Sequence, residues 1–203
     1  MQGSDASDSQ HGHTQFLGAS GQFYVAHCLT RRGLHAALTL GNAPDVDIIV
    51  AEPTGAAALS LQVKTATNAC KQRFGREVGE WRISRSAYSQ GQKELWYALV
   101  DMPSEDRDPP KVFLVPSLWI AGFLALQMTD EDIRSRYPKL CTRRDAFYYL
   151  VRQLWPDCEE RWDRVRGFLE KQPDTLDWCQ NCPQVGRDWK DQHRWVRCAQ
   201  QVA

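Results

Sequence analysis

Between residues 18 and 32 the apolar positions keep a helical rhythm. Gln22, Val25, Ala26 and Leu29 share one stripe at spacings of three, four and seven. Gly33 closes that segment as a C-cap. Three runs of strand character follow, at residues 34–40, 46–51 and 58–65. Gly41, Asn42 and Pro44 separate the first two, and Pro53, Thr54 and Gly55 turn the second into the third. Residues 81–83 predict a short strand, 95–100 a longer one and 112–115 another, after which 117–126 read as helix. A helix, several strands, then a strand and a helix predict an α/β fold with a mixed sheet flanked by helices.

Both ends of the chain differ from this middle. Residues 1–14 are small and polar and predict a mobile tail. Beyond Thr129 the stretches 130–136, 144–154 and 159–169 read as helices, with acidic residues early in the first and third. Trp155, Trp162, Trp178, Trp189 and Trp195 crowd this part. The organisation expected is a tail over 1–14, a core over 15–128 and a Trp-rich helical extension over 129–203. Large aromatics in a small helical appendage suit its own core, or an interface with a second copy or a partner protein, better than the stacking of nucleobases.

Composition changes this picture only locally. Twenty-five basic and 25 acidic residues in 203 cancel, so no general positive field draws the chain to nucleic acid. Between residues 64 and 93, however, stand seven basic and two acidic residues. Lys71, Arg73, Arg76, Arg82, Arg85 and Lys93 all follow Lys64, as a solvated basic loop or as a phosphate-binding one. The first residues lack a basic start and an apolar run, and the cysteine count of seven is odd, so a cytoplasmic protein with reduced thiols is expected. The uncharged stretch 112–129 is interrupted by Pro116, Ser117 and Gln127 and predicts strand and helix rather than a membrane span.

The candidate chemistry lies in the second and third strands. Leu59, Leu61 and Val63 point to one face of the third, and Ser60, Gln62 and Lys64 to the other. A short turn before it folds the two strands antiparallel and brings Asp47 towards Gln62 and Lys64. A carboxylate and an amide oxygen are hard donors suited to Mg²⁺, and a neighbouring lysine can hold a water or stabilise charge on phosphate oxygens. The plainer alternative is an Asp at a strand entry and the polar outer face of a half-exposed strand. Gln22 adds a polar group to the stripe that the first helix should bury, with Gly18 and Gly21 beside it to permit close backbone approach. A buried amide that only hydrogen-bonds the sheet would explain it equally.

Gly18-Ala-Ser-Gly21-Gln22, Val46-Asp47-Ile48-Ile49-Val50 and Leu61-Gln62-Val63-Lys64-Thr65, in that order, resemble the PD-(D/E)XK nuclease superfamily. The nearest branch is the small endonuclease and Holliday-junction-resolvase-like domains that carry a Q-x-K variant. The resemblance implies a restriction-endonuclease-like fold with an α-β-β-β-α-β core and metal-dependent cleavage of DNA. It makes Asp47 and Gln62 the ligands of Mg²⁺, which Mn²⁺ could replace. Lys64 becomes the catalytic lysine that positions the attacking water, and Gln22 takes the first-helix position. Asp45 is an alternative source of the acid. Gln22 and Gln62 are neutral where the family carries acids, although Glu52, Glu77 or Glu80 could compensate. A catalytically inactive relative that binds nucleic acid or serves in an assembly is therefore the alternative.

Cys179, Cys182, His193 and Cys198 have the types and spacing of a tetrahedral zinc site. With one CxxC pair and no glycine knuckle, unpaired thiols are the expectation.

Overall fold

The computed structural model describes residues 5–40, 45–73, 75–89, 92, 94–105, 107–129 and 145–172. Helix α1 (Asp5–Thr30) leads into strands β1 (His35–Leu38), β2 (Ile48–Ala51) and β3 (Ala58–Thr67). A hairpin follows, β4 (Cys70–Arg73) and β5 (Arg76–Ser84), then β6 (Leu95–Met102), β7 (Lys111–Pro116) and α2 (Ser117–Thr129). Strand β8 (Asp145–Val151), the short helix α3 (Trp155–Cys158) and α4 (Trp162–Leu169) complete the described chain.

Five strands form a mixed sheet in the order β1-β2-β3-β6-β7, parallel only between β3 and β6. Strands β4, β5 and β8 form a second, antiparallel sheet. This is the mixed α/β sheet flanked by helices that the sequence predicts. Alternation along the central strands divides the core into two layers. Leu59, Leu61, Val63, Trp96, Ala98 and Val100 face α1 and α4, where Val25, Leu29, Val165 and Leu169 close the layer. Tyr97, Leu99, Phe113 and Val115 face the other way, against Trp81 and Ile83 of the second sheet and Trp119 and Ile120 of α2.

Four expectations are corrected. The first helix begins at Asp5 and takes up most of the predicted tail. The sequence of its early turns lacks the apolar stripe that signals a buried helix. Second, Lys71 to Arg85 is largely a β-hairpin rather than a loop, and β5 is nine residues long. With a 3₁₀ turn at Arg85–Ser89, that hairpin makes the crossover from β3 to parallel β6 where a helix was expected. Third, the helix expected over 144–154 is strand β8 followed by a 3₁₀ turn. Ala146-Phe-Tyr-Tyr-Leu-Val151 is rich in residues that suit a pleated surface, and pairing with β5 decides the matter.

Fourth, the C-terminal region is not a separate helical appendage. Trp155 packs edge-on against Phe113 at 5.5 Å, and Trp162 is buried with α1 and the main sheet. The face of α4 carrying Trp162, Val165 and Leu169 is core rather than an open partner surface. The helix expected over 130–136, Lys93, the tryptophans beyond Trp162 and the Cys179, Cys182, His193, Cys198 set lie outside the described residues. Among the described residues, no helix is long and apolar enough to cross a membrane.

Candidate functional site

Helix α1 crosses β3 at Gly21, where a Cβ would fall 1.9 Å from Thr65 Oγ1, far inside contact distance. Only a glycine permits that approach. Gly18, by contrast, has open space around it. The close crossing carries the next residue, Gln22, to the edge of β2, where its Nε2 donates to Asp47 Oδ1 at 2.8 Å.

Asp47 stands one residue before β2 and is already locked into the sheet. Its N–H donates to Leu61 O at 2.8 Å, and its carbonyl accepts from the Thr39 N–H at 3.0 Å. Its second carboxylate oxygen, Oδ2, accepts the Val63 backbone N–H at 2.7 Å. The carboxylate is thereby held against the backbone between Gln62 and Lys64. Hydrogen bonds to a carboxylate are the strong ones, so this arrangement fixes the Asp47 side chain beside the middle of the central strand.

Gln62 is buried, with 8% of its surface exposed, and pairs in register with Tyr97 of β6. Its Nε2 lies 3.4 Å from Asp45 Oδ1, a long hydrogen bond. Asp45 has a left-handed backbone, φ 63°, a conformation that aspartate tolerates better than most residues. Burial raises the Tyr97 phenol pKa above its ordinary value, and the Asp45 charge raises it further. Asp45, Gln62 and Tyr97 therefore form one polar cluster on the sheet face opposite α1. Lys64 projects from the same face of β3, half-buried, next to the Val63 amide that grips Asp47.

The donors available for a cation are all oxygens: the Asp45 and Asp47 carboxylates and the amide oxygens of Gln22 and Gln62. That set fits Mg²⁺ or Mn²⁺ by hardness. It is sparse, and among the described residues no three His, Cys, Asp or Glu side chains converge to hold a metal. The glutamates considered as substitutes are engaged elsewhere. Glu52 accepts from the backbone N–H groups of Thr54 and Ala56 in the β2–β3 turn, Glu77 pairs with Arg152, and Glu80 pairs with Lys71 and Arg73.

No family model and no curated protein matches this chain. Among solved structures, a bacterial homing endonuclease is similar over 79% of this chain and 99% of its own, with 14% sequence identity and a TM-score of 0.44.

Of the basic residues after Lys64, Lys71, Arg73, Arg76 and Arg82 lie on the β4–β5 hairpin and Arg85 opens the 3₁₀ turn that follows it. Lys71, Arg73 and Arg82 are exposed, and Arg76 and Arg85 partly so. Lys71 Nζ and Arg73 Nε both reach Glu80 Oε2, at 2.8 and 3.0 Å. Part of the positive charge that the sequence advertises is thus balanced within the hairpin. Sequence reasoning misses the participation of Tyr97 and Thr65. Tyr97 sits inside an apolar strand with no motif signal, and Thr65, though it closes the Leu61–Thr65 motif, matters through the shape it presents to α1.

Proposed function

We propose that this chain is a metal-dependent DNA endonuclease that hydrolyses phosphodiester bonds, with its site at Asp47, Gln62 and Lys64. The observation that carries this reading is the double anchoring of Asp47. Gln22 Nε2 and the Val63 N–H hold its carboxylate against the β3 backbone, at the residue between Gln62 and Lys64. Asp47 and the Gln62 amide oxygen would hold Mg²⁺. When bound, the ion supplies Lewis-acid polarisation of the phosphate and a lowered pKa for a coordinated water. The Lys64 ammonium orients the attacking water and offsets charge growing on the phosphate oxygens. Gln22 keeps Asp47 in place from behind, and Asp45 does the same for Gln62 at longer range. Arg76, Arg82 and Arg85 offer the duplex backbone their positive charges.

One observation favours a second reading. Both Asp47 oxygens already accept hydrogen bonds from the protein, and the residues beside them, Gln22 and Gln62, are neutral. A fold that binds nucleic acid without cutting it, or serves as part of an assembly, needs no more than this. A cleavage assay on supercoiled, linear, branched and single-stranded DNA separates the two. The endonuclease reading expects cutting with Mg²⁺ or Mn²⁺ that EDTA stops and Lys64→Ala removes. Tight binding with no cutting of any substrate establishes the second reading instead.

A further inference from the structure

The β4–β5 hairpin contains an arrangement that the proposed chemistry does not use. Lys71 and Arg73, two residues apart on β4, share a strand face and converge on one oxygen of Glu80 on β5. The Glu80 side chain is 7% exposed, whereas those of Lys71 and Arg73 are 40% and 50% exposed. The carboxylate is therefore set under two cations that still face solvent. Each gives one contact to it: lysine keeps two further N–H donors, and arginine keeps its NH₂ groups. The three side chains together carry a net charge of plus one. The register also puts Arg73 directly opposite Arg76 at the hairpin tip, which concentrates positive charge there.

We propose that Glu80 is a positioning residue that holds Lys71 and Arg73 as a preorganised clamp for a backbone phosphate of a nucleic acid. Long cationic side chains lose rotamer freedom when they bind, and a buried carboxylate that fixes them beforehand removes part of that cost. Burial works against the Glu80 charge, but hydrogen bonds from both cations outweigh it and keep the carboxyl below its ordinary pKa. The clamp is thus set at neutral pH. This inference rests on the nucleic-acid half of the function proposed above, and is independent of whether the Asp47 site cuts.

A simple counter-charge at position 80 predicts the opposite effect, so two substitutions decide. Glu80→Gln removes a negative charge beside the phosphate path. If Glu80 only restrains the cations, duplex affinity rises; if it positions them, affinity falls. Glu80→Asp keeps the charge but shortens the reach, so a restraint leaves affinity unchanged while a positioning role loses it. The experiment is fluorescence anisotropy of a labelled duplex with Ca²⁺ in place of Mg²⁺, over a salt series, on the full chain. Thermal melts and circular dichroism confirm which variants fold, and Glu80→Asp serves if Glu80→Gln does not. The clamp expects a roughly three- to tenfold loss for either folded variant, with a shallower log–log salt slope. Equal or tighter binding by either overturns it. Wild-type cleavage alongside that result leaves the endonuclease reading intact. Weakened Glu80 variants with no cutting by the wild type retain the clamp and end the endonuclease reading. A wild type that binds no duplex overturns both.

Discussion

Gln22 Nε2 and Asp47 Oδ1 meet at 2.8 Å, joining residues 25 positions apart across the face where α1 lies on the sheet. The bond depends on the glycine before it, because a side chain at position 21 would push the helix away from Thr65 and withdraw Gln22 from β2. It also gives the polar residue on the apolar stripe of the first helix its partner. Gln22 is neither a satisfied core amide bonded to the backbone nor a solvent group. It is the partner of the carboxylate around which the candidate site is built.

Replacing Gln22 by Glu tests whether a cation belongs beside this pair. Without metal, two carboxylates face each other and a charge-assisted hydrogen bond is lost, a cost of about 1.5–3 kcal/mol. For a chain of this length that lowers Tm by about 3–12 °C in EDTA. With Mg²⁺, the added acid strengthens the site, and the variant should recover more Tm than the wild type gains. Differential scanning fluorimetry with a Mg²⁺ titration measures this. Equal Mg²⁺ responses in the two proteins would exclude position 22 from any metal shell.

Asp47→Ala and Lys64→Ala should both abolish cleavage, yet differ in what they do to the fold. Asp47→Ala strips a partner from the Val63 N–H and from Gln22, at about 1–3 kcal/mol for each donor left unsatisfied. Lys64→Ala removes a half-exposed side chain and should stay within about 0.5 kcal/mol of the wild type. Urea denaturation beside the nuclease assay reads both quantities. A Lys64→Ala protein that still cuts DNA would move the chemistry to another site.

How far a sequence can foretell such a site depends on where the deciding interactions lie. Alternation of Leu59, Leu61 and Val63 with Ser60, Gln62 and Lys64 is local, and the strand follows it, with the apolar set in one core layer. The glycines and the amide of the first helix are legible as a close approach, though the contact is made by Gly21 alone. Of the hairpin only residues 81–83 of β5 are legible as strand, and β8 is not legible. Lys71-Gln-Arg73 and Arg76-Glu-Val carry polar side chains that read as loop, and the second sheet exists because β8, far along the chain, pairs with β5. The engagement of Glu52, Glu77 and Glu80 is likewise hidden, since two of those three partnerships depend on pairing between strands or on a residue 75 positions away.

The Glu80 partnership has a pH signature. Burial raises its pKa, but hydrogen bonds and charge from Lys71 and Arg73 lower it further, leaving it below the ordinary value. A carboxyl depressed in the folded state adds stability that is fully present above its unfolded pKa of about 4.3 and is lost as pH falls through the folded value. The stability gap between wild type and Glu80→Gln should therefore be constant from about pH 7 to pH 5 and close progressively below about pH 4. Chemical denaturation across that range measures the gap. A gap unchanged at the acid end would assign the effect of Glu80 to packing rather than charge.

Gly21→Ala tests the crossing on which the site geometry hangs. The added methyl meets Thr65 Oγ1 directly, with Thr65 Cβ and Cγ2 each 3.1 Å away, so α1 must shift or β3 must yield. Overpacking of this kind costs about 1–3 kcal/mol, which outweighs the gain of up to about 1 kcal/mol from replacing a helical glycine by alanine. The shift should also lengthen the Gln22–Asp47 bond, so DNA cleavage should fall even in the protein that remains folded at the assay temperature. Thr65→Ala in the same chain removes the hydroxyl and Cγ2 and should recover most of the lost stability, giving a coupling energy between the two sites of about 1 kcal/mol or more. Denaturation of the two single variants and the double completes the cycle. Purely additive effects would show that α1 does not rest on Thr65 at Gly21, and would leave the reach of Gln22 to Asp47 without a steric cause.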